Sequence, residues 1–196
     1  MFEEDHSIVE DTVVKKTSEG LAKMLPSIFL VGPMGAGKTT IGKLLSKQLG
    51  RDFVDCDHYI VSQTGADIPW IFAKEGEIGF RERETRALAE LTEQSNIVMA
   101  TGGGAVERAE NRALLKKGLV IYLEASVDTQ LFRTKKDKNR PLLQNDNPKE
   151  VLERLYRIRH PLYQEVATIV VPTGRVFPKQ MVANIMRMLP KYVKSS

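Results

Sequence analysis

Ser27-Ile28-Phe29-Leu30-Val31-Gly32-Pro33-Met34-Gly35-Ala36-Gly37-Lys38-Thr39-Thr40 is the stretch that decides the reading of this chain. Residues 32–39 match G-x-x-x-x-G-K-[ST], the phosphate-binding P-loop. Ser27 to Val31 is a short apolar strand candidate immediately before it. Thr39 to Leu49 reads as a helix immediately after, with Ile41, Leu44, Leu45 and Leu49 on one apolar face. The glycines let the backbone curl so that successive N–H groups converge on phosphate oxygens, and the helix N-terminus adds partial positive charge. Lys38 can reach the β- and γ-phosphates, and the Thr39 hydroxyl can ligate Mg²⁺. A strand before and a helix after make a chance glycine turn the poorer reading, so the chain is expected to bind a nucleoside triphosphate.

Outward from this motif, strand and helix patterns alternate. Further strands are expected at Phe53–Asp55, Ile97–Ala100, Leu119–Leu123 and Thr168–Val171, all short and mostly apolar on both faces. Helices are expected near 57–64, 78–94, 107–117, 127–134, 148–160 and 178–190. This alternation predicts an α/β fold, a doubly wound parallel sheet of five strands with ligands at the carboxyl ends. Pro161 is expected to end one helix near Arg159 and start another, because proline cannot donate to residue 157.

The whole chain, 196 residues, suits one α/β domain and is short for two. No apolar run approaches membrane-spanning length, and no stretch reads as a secretory signal. A single cysteine, Cys56, excludes an internal disulfide framework and suits a reducing, cytoplasmic setting. Net charge is +4, unevenly spread: residues 1–23 hold six acids and three bases, which leaves the remainder at +7. We read residues 1–25 as an N-terminal arm and 26–192 as a single domain. A basic domain suits either nucleic acid or anionic small molecules.

Three further stretches carry candidate chemistry. Asp55-Cys56-Asp57 ends the second strand at the ligand-binding edge. Alternation along an extended segment would put both carboxylates on one face, toward the P-loop. Asp55 suits a metal-holding role and Asp57 suits orienting or deprotonating an attacking hydroxyl. The alternative is that Asp57 only caps the next helix. In Gly79-Phe80-Arg81-Glu82-Arg83-Glu84, Arg81 and Glu84 are neighbours on one helix face, and the carboxylate could lock the guanidinium for bidentate carboxylate recognition. The same spacing is more often that of a solvated Arg/Glu face, where such pairs are weak. Thr101-Gly102-Gly103-Gly104 follows the third strand and allows a ligand close to bare backbone, or is simply a flexible loop.

Arg133 to Arg140 puts five bases into eight residues ahead of Pro141 and Leu142. A solvated charge run is the default reading. Beside a P-loop the run suits a lid that closes over the nucleotide. No aromatics interleave with the charges, which disfavours nucleic acid.

Taken together, GPMGAGKTT (32–40), DCD (55–57), GFRERE (79–84), TGGG (101–104), RPLL (140–143) and RHPLY (159–163) resemble the shikimate kinases in order and spacing, over about residues 27–190. The resemblance implies sheet order 2-3-1-4-5, ATP and Mg²⁺ as cofactors, and phosphorylation of the 3-hydroxyl of shikimate. It implies ATP binding by Gly35, Ala36, Gly37, Lys38, Thr39 and Thr40, with Arg140 reaching in from a lid at about 135–148 and Arg175 beside adenine. Thr39 and Asp55 would hold the metal. Asp57, Lys38 and Arg140 would be catalytic. Asp57, Arg81, Arg159, Gly102, Gly103 and Gly104 would bind shikimate, with Glu84 setting Arg81, in a substrate segment of about 56–84. Phe72, Phe80, Pro141 and Leu142 would form its apolar walls. Cys56 stands where the family usually has Ser or Thr, which exposes the site to oxidants. The expected partner is the small molecule alone, with no nucleic acid, no membrane and a monomeric chain.

Overall fold

The computed structural model describes residues 20, 21, 23–135, 147–174 and 176–193. Five parallel strands form one sheet: β1 (Ile28–Val31), β2 (Asp52–Asp55), β3 (Ile97–Ala100), β4 (Leu119–Glu124) and β5 (Ile169–Pro172), in the order β2-β3-β1-β4-β5. Seven α-helices flank it among the described residues: α1 (Lys38–Leu49), α2 (Cys56–Thr64), α3 (Ile68–Leu91), α4 (Ala109–Leu115), α5 (Val127–Thr134), α6 (Pro148–Val166) and α7 (Pro178–Met188). No described helix is long and apolar enough to cross a membrane.

Every residue of β1 and β3 is buried, as the unbroken apolar runs require of strands covered on both faces. Successive side chains of β1 feed two different cores. Ile28 and Leu30 point into a cluster with Ile41, Leu45 and Leu49 of α1 and Val182 and Ile185 of α7. Phe29 and Val31 point the other way, into Ile60 of α2, Leu88 and Leu91 of α3, and Tyr163 of α6. That period-2 division is what the pleat dictates. The edge strands are less covered: Asp52 of β2 and Val170 of β5 are exposed. Arg51, almost buried, donates from Nη1 and Nη2 to the carbonyls of Pro26 and Leu25 at 2.6 Å each, fastening the entry of β1 to the end of α1.

Register aligns Leu30 of β1 and Asp55 of β2 with Ala100 of β3. Because all strands are parallel, the loops leaving β1, β2 and β3 emerge along one edge, with the loop from β3 in the middle. The P-loop and Asp57 therefore flank Gly102–Gly104 by topology alone. The edge lies where the chain leaves β1 with β3 on one side and β4 on the other, the position where open α/β sheets bind ligands.

Two helices differ from the expected pattern. The helix expected from residue 78 begins at Ile68, where the Asp67 side chain accepts from the Trp70 N–H at 2.8 Å and Pro69 occupies the first turn. It is kinked at Gly76 (φ 69°, ψ −175°), a conformation reached without strain only by glycine. The break expected at Pro161 is absent: α6 runs through it as one helix. Proline removes a single ladder bond there. Leu152, Arg159, Tyr163 and Val166 form one buried stripe that holds the helix together across the gap.

Cys56 is the first residue of α2 and wholly buried in the second core rather than a strand residue. Burial pushes its thiol well above the usual cysteine range, and the neighbouring Asp57, Glu84 and Asp55 carboxylates add to the shift. The structure thus removes the oxidant sensitivity that a cysteine at this position suggests. A thiol-specific reagent at pH 8 should label the native protein at least about 100-fold more slowly than the urea-unfolded chain; equal rates would contradict this environment. A packing test lies at Gly118, where a methyl group would overlap the Phe29 ring and stand 2.6 Å from the Ser27 carbonyl that receives the Leu119 N–H. Gly118→Ala should cost about 1–3 kcal/mol in urea unfolding, with an unchanged slope.

Candidate active site

The P-loop and the start of α1 form one wall of a cleft that also takes in Asp55, Asp57, Gly102, Gly103 and Arg133. Gly37 caps α1 in the left-handed region (φ 91°, ψ 19°) with no side-chain cap, so the first N–H groups of α1 are left for a ligand. Lys38 folds back over the loop, its Nζ donating to the carbonyls of Gly32 (2.7 Å) and Pro33 (2.9 Å). Gly35, Thr39 and Thr40 line the cleft as well. Ala36 buries its methyl in the core and turns its N–H to the Pro33 carbonyl at 3.3 Å.

Asp55, not Asp57, caps α2. Its Oδ1 accepts from the backbone N–H of Asp57 at 3.2 Å and of His58 at 3.4 Å. Its Oδ2 accepts from the Thr39 hydroxyl at 2.8 Å. Asp57 stands in the first turn of α2. The two carboxylates reach the same cleft through a strand-to-helix junction, and not by the strand alternation expected from the sequence. The Thr39 hydroxyl and the Asp55 carboxylate are hard oxygen donors beside the phosphate loop, the chemistry that Mg²⁺ selects when waters and phosphate oxygens complete its shell. Among the described residues no cluster of three or more His, Cys, Asp or Glu side chains could hold a metal by itself.

Gly102–Gly104 forms the facing wall, and charged side chains close on it from three helices. A methyl group on Gly102 would stand 2.7 Å from Glu84 Oε1 and 3.0 Å from Asp57 Oδ1. On Gly104 it would overlap the Arg81 guanidinium, and on Gly103 it would lie 3.6 Å from Arg159 Nη1. Arg81 donates from Nη1 to Glu84 Oε2 at 2.9 Å and from Nη2 to Glu77 Oε1 at 3.1 Å. The Arg81–Glu84 pair is thus not the solvated face that its spacing favours: the Glu84 side chain is fully buried. Burial raises the Glu84 carboxyl above its usual range; Arg81 opposes the shift and Asp57 reinforces it. For Arg81 burial works against the charge, yet Glu84, Glu107 and Glu77 together hold its pKa above the ordinary arginine value. Glu84 Oε1 has no hydrogen-bond donor among the described residues. Phe72 and Phe80 pack with ring centres 4.8 Å apart beside this cluster.

Sequence reasoning missed the parts played by three contributors. Tyr163, wholly buried one turn after Arg159, donates its hydroxyl to the Gly103 carbonyl at 2.5 Å, and burial keeps that phenol far above its ordinary pKa. Its spacing from Arg159, i to i+4, is the clue that could have found it. Glu107 accepts from Arg159 Nε at 2.6 Å and had no clue beyond following the glycine run. Arg133 reads in the sequence as part of the basic run. It instead buckles the P-loop to the end of β5, donating to the carbonyls of Gly35 (3.0 Å), Thr173 (2.6 Å) and Gly174 (2.9 Å). Arg140, Pro141 and Leu142, with most of the expected lid, and Arg175 lie outside the described residues.

Known proteins share this chain's sequence and fold. A family model described as shikimate kinase matches residues 34–190. The shikimate kinase of Psychrobacter cryohalolentis is 64% identical over 177 residues, 90% of this chain and 95% of that protein. The solved shikimate kinase of Acinetobacter baumannii in complex with shikimate is 51% identical with a TM-score of 0.85, covering 90% of this chain and 97% of that one. A gluconokinase from Sinorhizobium meliloti, 17% identical with a TM-score of 0.52, shares the fold alone. With its sheet order, its P-loop and its charged glycine wall in place, this chain belongs to the shikimate kinase family.

Proposed function

We infer that this chain is a shikimate kinase, transferring the γ-phosphoryl group of ATP to the 3-hydroxyl of shikimate to give shikimate 3-phosphate and ADP, within chorismate and aromatic amino-acid biosynthesis. The observation that carries the reading is the convergence of Asp57, Arg81 and Arg159 on the glycine wall that faces Lys38 across one cleft. Shikimate is a carboxylate bearing vicinal hydroxyls. It asks for guanidinium groups at one end and a carboxylate acceptor at the other.

In this reading Gly35 to Thr40 hold the phosphates through backbone N–H groups and the Lys38 ammonium, which exchanges the Gly32 and Pro33 carbonyls for phosphate oxygens. Thr39 and Asp55 hold Mg²⁺, which neutralises charge on the phosphoryl oxygens when bound. Arg81, locked by Glu84, and Arg159 grip the substrate carboxylate. Asp57 accepts the proton of the attacking hydroxyl and orients its lone pair. Glu84 Oε1, buried and lacking a donor, suits a second hydroxyl. Gly102, Gly103 and Gly104 let the ring lie against bare backbone. Arg140 and Arg175 keep the parts that family resemblance gives them, at the transferring phosphoryl group and at adenine. The transition state of phosphoryl transfer is loose, so positioning and charge neutralisation supply most of the rate. The same proposal sets the enzyme in the cytoplasm as a monomer acting on small molecules, with neither nucleic acid nor membrane as partner. The lack of aromatics among the bases of 133–140 supports it.

A coupled assay of ADP release should show turnover that requires both shikimate and Mg²⁺. Turnover with gluconate or AMP in place of shikimate would overturn the assignment. Asp57→Asn should lower kcat by about 100-fold or more while ATP affinity stays within about twofold. Parental turnover in that variant would remove Asp57 from the reaction.

A further inference from the structure

We propose that Glu107 is a positioning residue for the substrate carboxylate, acting by tethering Arg159. The proposal rests on the shikimate kinase reading of this cleft. Arg159 sits on the buried stripe of α6 with only 4% of its surface exposed, so its orientation is set mainly by protein groups. The partner that the fold gives it is Glu107, which receives the Nε hydrogen at 2.6 Å. Nη1 and Nη2 make no hydrogen bond among the described residues, and Nη1 lies beside Gly103 on the cleft wall. Holding a planar guanidinium at Nε fixes the direction of the opposite edge, the edge that can bind a carboxylate with two parallel hydrogen bonds.

Glu107 is itself held in place. Its N–H donates to the Gly104 carbonyl at 3.0 Å, and its own carbonyl receives Arg112 Nη1 at 3.0 Å. Arg112 pairs in turn with Glu165 near the end of α6, the helix that carries Arg159. The tether and the residue it orients are thereby braced to one another. Glu107 also contributes to the elevated pKa of Arg81, so its charge is felt at both guanidinium groups. With roughly a third of its side chain exposed, its carboxylate stays at the rim and leaves the interior of the cleft to the substrate.

The test is steady-state kinetics of the full chain with shikimate and with its methyl ester, which keeps the ring and hydroxyls but loses the charge. Glu107→Ala should raise KM for shikimate about tenfold, with kcat and KM for ATP each within about twofold, because the lost contact is made equally in ground and transition states. Glu107→Gln keeps an oxygen to accept from Nε and should restore KM to within about threefold of the parent. For the methyl ester, parent and Glu107→Ala should have the same KM. An unchanged shikimate KM in Glu107→Ala, an equal penalty on the ester, or a parallel loss of kcat and ATP affinity would each overturn the proposal. So would a soluble Glu107→Gln protein as impaired as Glu107→Ala. Failure of the underlying reading is separate, because the parental protein would then show no shikimate-dependent turnover at all.

Discussion

A buried guanidinium is tolerable where strong acceptors meet it, carboxylates above all, and a buried carboxylate needs donors in return. Around Gly102–Gly104 the chain satisfies both requirements by interleaving the signs: Glu77 and Glu84 on Arg81, and Glu107 on Arg159, with Asp57 next to Glu84. Removing Glu84 would take from Arg81 its fully buried partner, and removing Glu107 would take from the buried Arg159 the carboxylate that receives its Nε hydrogen. The cluster is therefore a structural unit as well as a chemical one. Its members come from α2, α3, α6 and the loop after β3, so the relative placement of those elements is constrained by the pairing. The glycines are the complement of this constraint. A single methyl at 104 would occupy the space of the Arg81 guanidinium, so bare backbone is the condition for the charges to gather.

Sheet order converts this local arrangement into a reaction site. β3 lies between β1 and β2, so the glycine wall is flanked by the nucleotide loop on one side and by Asp57 on the other. The Thr39–Asp55 hydrogen bond then joins the P-loop helix to the carboxylate that caps α2. Arg133 closes the same loop from the far side through three carbonyls. Each wall is held by atoms that the sheet delivers, and the unbroken α6 adds Arg159 and Tyr163 as one rigid stripe. A helix broken at Pro161 would have let those two side chains swing independently. Continuity across the proline keeps the guanidinium and the phenol in register with Gly103.

Much of this was legible beforehand, for identifiable reasons. The strands were readable because parallel strands buried on both faces have unbroken apolar runs, and the P-loop because its glycines and lysine have few other uses together. The start of α3 was not readable: Gly76 and Gly79 interrupt its pattern, and its cap at Asp67 is a single polar residue among others. Pro161 misled because a proline signals a missing hydrogen bond, while the tertiary stripe that outweighs it is visible only after folding. Arg81 and Glu84 looked like a surface pair because spacing reports adjacency and not burial. Glu107 and Arg133 were silent because their partners, at 159 and at 35, 173 and 174, are distant in sequence.

The balance of charge within the cleft also bears on which acceptors it can take. The domain as a whole is basic, yet the acceptor wall is not a plain cationic surface: Asp57, Glu84 and Glu107 stand among its two arginines. Coulomb interactions are appreciable at such separations in a partly buried site, so under the proposed function a second phosphate at the acceptor position would face three carboxylates. A monoanion carrying hydroxyls meets a different balance. Under the proposed function its one carboxylate would complete the edge of Arg159 that faces the cleft wall, while its hydroxyls would donate to the very carboxylates that would repel phosphate. On the Lys38 side of the cleft backbone N–H groups and an ammonium supply positive charge, with the Asp55 carboxylate beside them on the Thr39 hydroxyl. Under the proposed function, selectivity between the two halves would follow from where the carboxylates are rather than from net charge.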